Sequence, residues 1–282
     1  MTVLEAIQKS TEFLAKKGVE SPRLQVELLL AHLLKMPRMK LYLNFDRALS
    51  PAEIDSLREL VKRRGQREPL QHIIGSTSFC GYEIAVNRHA LVPRPETELL
   101  AELGWKFLST INHQPSTALD FGTGSGCIAI ALAAKCPDAG IVATDISADA
   151  LALATENAKK NSVVERIKFL QGDGFAALSN NSKFNLIVSN PPYIPSAEIA
   201  TLQPEVRDFD PRGALDGGAD GLDFYRRISE EAKPFLKPDG KIMLEFGDGQ
   251  ANAIKAIFEN EKWIVEAVRE DYSQRARILW LR

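Results

Sequence analysis

The chain has little cysteine and histidine, and what it has of each is scattered. Cys80, Cys127 and Cys136 are odd in number and show no Cys-x-x-Cys spacing. That argues against a disulfide framework and against a structural zinc site. The four histidines, His32, His72, His89 and His113, show no metal-ligand spacing either, so no metal is expected. No apolar run reaches the length of a membrane span, and no membrane association is expected. Met1-Thr2-Val3-Leu4-Glu5 lacks the basic and apolar regions of a secretory signal. A reducing, cytoplasmic setting is the expectation. Net charge is only −2, which provides no global attraction to nucleic acid. Residues 1–75 carry 13 basic and 9 acidic residues, a net of +4, which leaves −6 for the remainder. An acidic half is a poor ligand for duplex DNA. Repeats and low-complexity segments are missing.

What is present is the composition of a soluble globular protein, 45% apolar and 26% charged over 282 residues, enough for one large domain or two ordinary ones. The first 75 residues read as helices. Thr2-Val3-Leu4-Glu5 is a capping box, and Leu4, Ile7, Thr11 and Leu14 share a helix face. Ser21-Pro22 reads as an N-cap followed by proline at the first helical position. Leu28 to Leu34 reads as a buried helix, with His32 a packing residue. Ser50-Pro51-Ala52-Glu53 starts a further helix. Its basic end, Lys62, Arg63 and Arg64 with Arg67 beyond, reads as a solvated helix end or as a patch that docks a partner.

Around Gly75 the period changes. Phe79 to Val86 alternates around a glycine turn and reads as a hairpin linker. Pro93-Arg94-Pro95-Glu96-Thr97-Glu98 then breaks the chain and starts a helix, with Arg94 expected to brace the linker through an ion pair. Glu96 and Glu98 read as ordinary first-turn acids rather than as cavity residues. From Ala118 strands alternate with helices, which predicts a mainly parallel sheet. Ala276 to Leu281 is expected to close it as an antiparallel strand. The long acidic segment from Ser196 to Asp223 reads as a lid over a cleft or as a surface loop. The expected division is a helical domain at 1–75, a hairpin linker at 76–92 and an α/β domain at 93–282.

Three strand ends carry the chemistry. Asp120-Phe121-Gly122-Thr123-Gly124-Ser125-Gly126 follows a strand and opens a helix, where glycines admit a ligand to the backbone. Its spacing is G-x-G-x-G rather than the dinucleotide fingerprint. Asp120, two residues before the first glycine, suits an amino group better than a pyrophosphate. The next strand ends in Asp145, an acid that can accept both hydroxyls of a ribose or cap the helix that follows. The third leads to Asp173 and Phe175, candidates for an adenine amino group and ring. Asn190-Pro191-Pro192-Tyr193 follows the strand Phe184 to Ser189. An asparagine oxygen and a proline carbonyl there can each accept one proton of a planar –NH2, and Tyr193 offers a flat face beside it.

These motifs, with Arg67-Glu68-Pro69-Leu70-Gln71-His72-Ile73-Ile74-Gly75, Val92-Pro93-Arg94-Pro95-Glu96-Thr97-Glu98 and the stretch from Glu205-Val206 through Leu215-Asp216-Gly217-Gly218, resemble the release factor glutamine methyltransferases, the HemK/PrmC family. The resemblance spans nearly the whole chain. It implies a class I seven-stranded, Rossmann-like α/β methyltransferase behind a small all-helical N-terminal domain. It implies methyl transfer from S-adenosyl-L-methionine, with S-adenosyl-L-homocysteine as product, to the glutamine of the Gly-Gly-Gln motif of class I peptide chain release factors. Carried over by motif, Gly122, Thr123, Gly124, Ser125 and Gly126 would hold the methionine end and Asp145 the ribose. Asn190, Pro191, Pro192 and Tyr193 would hold the glutamine amide. Many relatives carry an aromatic residue where Gly174 stands, which leaves Phe175 to meet the adenine. The rivals are a glutamine methyltransferase of a ribosomal protein, an adenine amino-methyltransferase, an adaptor that binds without reacting, and a nicotinamide oxidoreductase. The last fails on glycine spacing. The adenine enzyme lacks a basic, aromatic-rich recognition module.

Overall fold

The computed structural model describes residues 1–111 and 115–282, and His113 lies outside the described residues. Two compact units emerge: Met1–Ser76 together with Gln203–Phe209, and Thr77–Leu202 together with Asp210–Arg282.

The first unit contains the helices Val3–Lys16, Pro22–Leu33, Arg38–Leu41, Pro51–Gly65 and Leu70–Ile74. Thr2 with Glu5, and Ser50 with Glu53, form reciprocal capping boxes, which satisfy otherwise orphaned N–H groups at both helix starts. Ser21 departs from expectation. It precedes Pro22, but its φ of 46° is left-handed and its side chain makes no capping bond. The helix that follows is amphipathic rather than wholly buried. Val26, Leu29, Leu30 and Ala31 face inward while His32 is exposed. At 3.6 residues per turn, His32 lies about 200° around from Leu30, so it is a surface residue and not a packing one. The expected docking patch is largely consumed inside this unit. Arg63 pairs with Glu68 at 2.6 Å. Arg64 donates to Glu205 Oε1 at 2.6 Å, and Arg67 donates to both oxygens of Glu205, at 2.7 and 2.6 Å.

The second unit opens with a hairpin, β1 (Ser76–Phe79, its first residue shared with the helical unit) and β2 (Tyr82–Ala85). Cys80 and Gly81 form its two-residue turn with φ of 50° and 84°, the twist that matches paired strands. The sheet comprises β3 (Thr117–Phe121), β4 (Gly140–Asp145), β5 (Ile167–Gln171), β6 (Phe184–Ser189), β7 (Leu236–Glu245), β8 (Val265–Glu270) and β9 (Ala276–Leu281), in the order β5-β4-β3-β6-β7-β9-β8. Its contacts are parallel except at β9, which runs antiparallel to both β7 and β8. The fold is therefore the expected seven-stranded, mostly parallel α/β sheet, preceded by a helical unit. β9 does not close it. It inserts beside β7 and leaves the charged, largely exposed β8 as the edge.

Helices cover both faces, so the central strands read as apolar runs instead of alternating. Ala118, Leu119, Leu186, Ile187 and Val188 are fully buried. Helix Cys127–Lys135 buries seven of its nine residues, as a helix apolar all round must. Helix Pro95–Leu108 comes close at Gly104, where a Cβ would stand 3.0 Å from Leu132 Cδ2 and 3.3 Å from Leu186 Cδ2. The chain runs outward from β3 through β4 to β5, then returns to β6 on the other side. The crevice therefore opens at the carboxyl ends of β3 and β6. The segment 196–223 is folded, with helical turns at Ile199–Thr201, Pro204–Arg207 and Arg212–Ala214 and a bridge from Ile194 to Asp216.

Candidate active site

A cavity lies in that crevice, entirely within the second unit. Gly122, Thr123, Gly124 and Ser125 line one side, with Thr144, Asp145, Ile146 and Asp173 beyond them. Asn190, Pro191 and Pro192 line the other. The two sides are tied together, since the buried Ser189 hydroxyl donates to the Phe121 carbonyl at 2.7 Å.

The glycine turn is built from behind. Gly122 N–H and Thr123 N–H both donate to the Thr144 carbonyl, at 3.0 and 2.9 Å. Asp120 is 1% exposed. Its Oδ2 accepts from Thr123 Oγ1 at 2.7 Å and from Ala129 N–H at 3.0 Å. Burial, opposed by those two bonds, pushes its carboxyl up to about 7. Asp120 is thus a brace for the turn and is not among the cavity-lining residues. Gly122, Gly124 and Gly126 all have positive φ, which suits glycine. Their surroundings differ. A Cβ on Gly122 would meet nothing within 4 Å, whereas one on Gly126 would fall 2.9 Å from Ala154 Cβ. Gly122 therefore leaves open space beside the backbone, and Gly126 is a packing glycine that does not line the cavity.

Asp145 Oδ2 accepts from Gly124 N–H and its Oδ1 from Ser147 N–H, both at 2.9 Å. Each oxygen keeps a second lone pair. Asp173 is bound by Arg227, which grips both its carboxylate and its carbonyl. Arg227 and Phe121 fill the space above Gly174, where a Cβ would stand 2.9 Å from each. Phe175 does not reach the cavity. It is 3% exposed, stacked on Phe235 at 5.1 Å and tilted against Phe121 at 4.9 Å. The apolar groups that do line the cavity include Phe121, Ile146 and Phe224.

Asn190 Nδ2 donates to Thr97 Oγ1 at 3.1 Å. Tyr193 is not on the cavity wall. Its ring packs against the second hydrophobic core, burial raises its phenol, and its carbonyl accepts from Gln250 Nε2 at 2.9 Å. Arg94 pairs with buried Asp210 at 3.0 Å. Glu98 Oε1 accepts from Cys80 N–H at 2.9 Å, which ties the helix start to the hairpin turn. Buried Asn157 bonds Ala85 and the Ser125 carbonyl, joining that hairpin to the glycine turn. Thr97, Thr144, Ile146, Asn157 and Phe224 belong to the site without a motif that predicts them. Thr97 stands between two first-turn acids, and Ile146 follows the strand-end acid directly. Phe224 carries no local signal at all. Among the described residues no group of three or more His, Cys, Asp or Glu could hold a metal, and no helix is long and apolar enough to cross a membrane.

An open, mostly parallel sheet with a glycine turn after β3, an acid ending β4 and Asn-Pro-Pro after β6 defines a class I, Rossmann-like methyltransferase. A solved methyltransferase from Pyrococcus furiosus shares the fold, with a TM-score of 0.52 and 20% identity over 72% of this chain and 90% of that one. Residues 5–75 match the PrmC N-terminal domain and residues 104–203 the methyltransferase small domain. A release factor glutamine methyltransferase of Geobacter sulfurreducens is 45% identical over 259 residues, covering 91% of this chain and 88% of that protein. One of Chlorobaculum tepidum is 39% identical over 282 residues, covering 98% and 95%. The chain belongs to the release factor glutamine methyltransferase family.

Proposed function

We propose that this enzyme methylates the side-chain amide nitrogen, N5, of the glutamine in the Gly-Gly-Gln motif of class I peptide chain release factors, using S-adenosyl-L-methionine. The observation that carries the reading is the single cavity that Asn190-Pro191-Pro192 and the Gly122–Ser125 turn share. The cavity fits the cofactor. Open space stands beside Gly122, and the buried Thr144 Oγ1 on its wall has no hydrogen-bond partner. Gly122 to Ser125 would hold the methionine end, and Asp145 the ribose hydroxyls through its remaining lone pairs. Asp173 would accept from the adenine amino group, with Ile146, Phe121 and Phe224 in place of Phe175 as the apolar walls. When bound, S-adenosyl-L-methionine supplies an electrophilic methyl group on sulfur.

The protein's task is to prepare a poor nucleophile, because the lone pair of an amide nitrogen is delocalised. Asn190 Oδ1 and the Pro191 carbonyl each accept one proton of the glutamine –NH2. That fixes its plane and stabilises the positive charge that develops on nitrogen. Pro192 stiffens the loop, and Tyr193 supports it from behind. The proton leaves to water after transfer. Residues 1–75 would recognise the release factor, 76–92 would link, and 93–282 would carry the reaction, in the cytoplasm, without stable nucleic acid.

The test is methyl transfer from labelled cofactor to a class I release factor, to its Gly-Gly-Gln→Gly-Gly-Ala variant, and to duplex DNA. Label on the intact factor alone is expected. Label on DNA would transfer the reading to an adenine amino-methyltransferase. Asn190→Ala should lower kcat by about a hundredfold or more with cofactor affinity retained, and unchanged turnover would remove Asn190 from the mechanism.

A further inference from the structure

Asn190 has a neighbour that does not line the cavity. Glu245 ends β7, one step beyond the Ser189 and Leu244 register pair, so it stands beside Asn190 at the ends of adjacent strands. It is 3% exposed, in a run where Ile242, Met243, Leu244 and Phe246 are fully buried. Its carboxyl lies against the Thr97 hydroxyl and the Asn190 amide, with Glu96 from the helix Pro95–Leu108 and Arg277 from β9 as the nearby charges. Tyr193 also feels it. Its Oε2 is buried without a hydrogen bond. A carboxyl so placed costs stability, which a structural role alone does not explain.

The two ends of an asparagine amide have nearly the same shape, so its neighbours decide which end points where. Here Nδ2 donates to Thr97 Oγ1. That hydroxyl, having accepted, must place its own proton, and the Glu245 carboxyl is the acceptor beside it. A flipped Asn190 would set its oxygen against those oxygens. It would also offer N–H groups to a substrate amide that offers N–H groups in turn.

We infer that Glu245 and Thr97 are positioning residues, which lock the Asn190 side chain with its oxygen toward the cavity and its nitrogen toward the protein. The inference rests on the reading of Asn190 above. Its signature is a separation of activity from stability. Glu245→Met removes the carboxyl at similar volume. Its Tm should equal or exceed that of the parent protein, because replacing a poorly satisfied buried charge with an apolar side chain is neutral or stabilising. Its kcat should nevertheless fall by about ten- to a hundredfold, the scale of a misplaced reacting group, while KM and cofactor affinity hold. Thr97→Val should reproduce the loss, and Thr97→Ser and Glu245→Gln, which keep an acceptor or hydroxyl, should recover much of it.

Asn190→Ala runs alongside. If Asn190→Ala abolishes transfer but Glu245→Met and Thr97→Val turn over normally, the positioning role is overturned and the proposed function stands. If activity falls only in step with the folded fraction, the role is structural and the inference fails. If Asn190→Ala itself is fully active, both fall together.

Discussion

Phe175, the residue expected to meet the adenine, turns into the core, and Ile146 stands at the cavity instead. Phe175 is a core residue between Phe121 and Phe235, and Ile146, 67% exposed, lies on the cavity wall. Phe175→Ala should cost about 3 kcal/mol of stability, as for other large-to-small core changes. Ile146→Ala should leave Tm nearly unchanged and weaken cofactor binding about tenfold, the scale of one aliphatic side chain returned to water. Calorimetric titration beside thermal unfolding separates the two. A loss of affinity in a still-folded Phe175→Ala protein would contradict this assignment. In sequence, Phe175 drew attention because it follows the expected strand end, and nothing local distinguishes a ring that turns inward from one that turns out. Asp120 misleads in the same way, since its place before the first glycine suggests a ligand contact but its Oδ2 accepts from Thr123 and Ala129. Glu245 was legible in principle as a carboxylate inside an apolar strand run, a placement rare enough to need a reason.

At the scale of elements, the central parallel strands were legible because burial on both faces leaves nearly continuous apolar runs, as in β3 and β6. β8 was not, because an edge strand has only one neighbour and half its faces in water, and Val265 to Glu270 carries three charged residues among six. Acidic or basic edges of this kind discourage further strand pairing. The return of Gln203–Phe209 to the helical unit was equally hidden, since it depends on Arg64 and Arg67 meeting a residue far along the chain. Arg64 is 3% exposed, and its partner is part of what keeps its charge tolerable. Glu205→Ala should therefore destabilise the helical unit by about 3 kcal/mol, the cost of leaving a buried charge unpaired. Hydrogen exchange in helix Pro51–Gly65 would show this as faster opening, and unaltered protection there would mean the pair is dispensable.

For the molecule as a whole, three buried carboxyls set the pH response. Burial raises Asp120 to about 7, Asp210 to about 6 and Glu245 to about 7. In the unfolded chain they titrate near ordinary values of about 4. Between those limits the folded protein holds more protons than the unfolded one, so stability falls as pH rises through the window. Carboxylates held low, such as Glu53, where the Ser50 backbone N–H is the main cause, contribute the opposite trend only below about pH 4.5. Tm should therefore decline from about pH 5 to about pH 7.5 and level off above, and Asp120→Asn should flatten the decline. A Tm that rises across that range would contradict the burial of these groups.

Because the helical unit takes its last piece from Gln203–Phe209, it cannot be finished when its first 76 residues leave the ribosome. Another 133 residues, from Thr77 to Phe209, must be made first, roughly 7 to 27 s of synthesis at bacterial rates of about 5–20 residues per second. Through that interval Arg64 and Arg67 have no Glu205. The helical unit therefore stands incomplete while Thr77–Leu202, the larger part of the second unit, is being made.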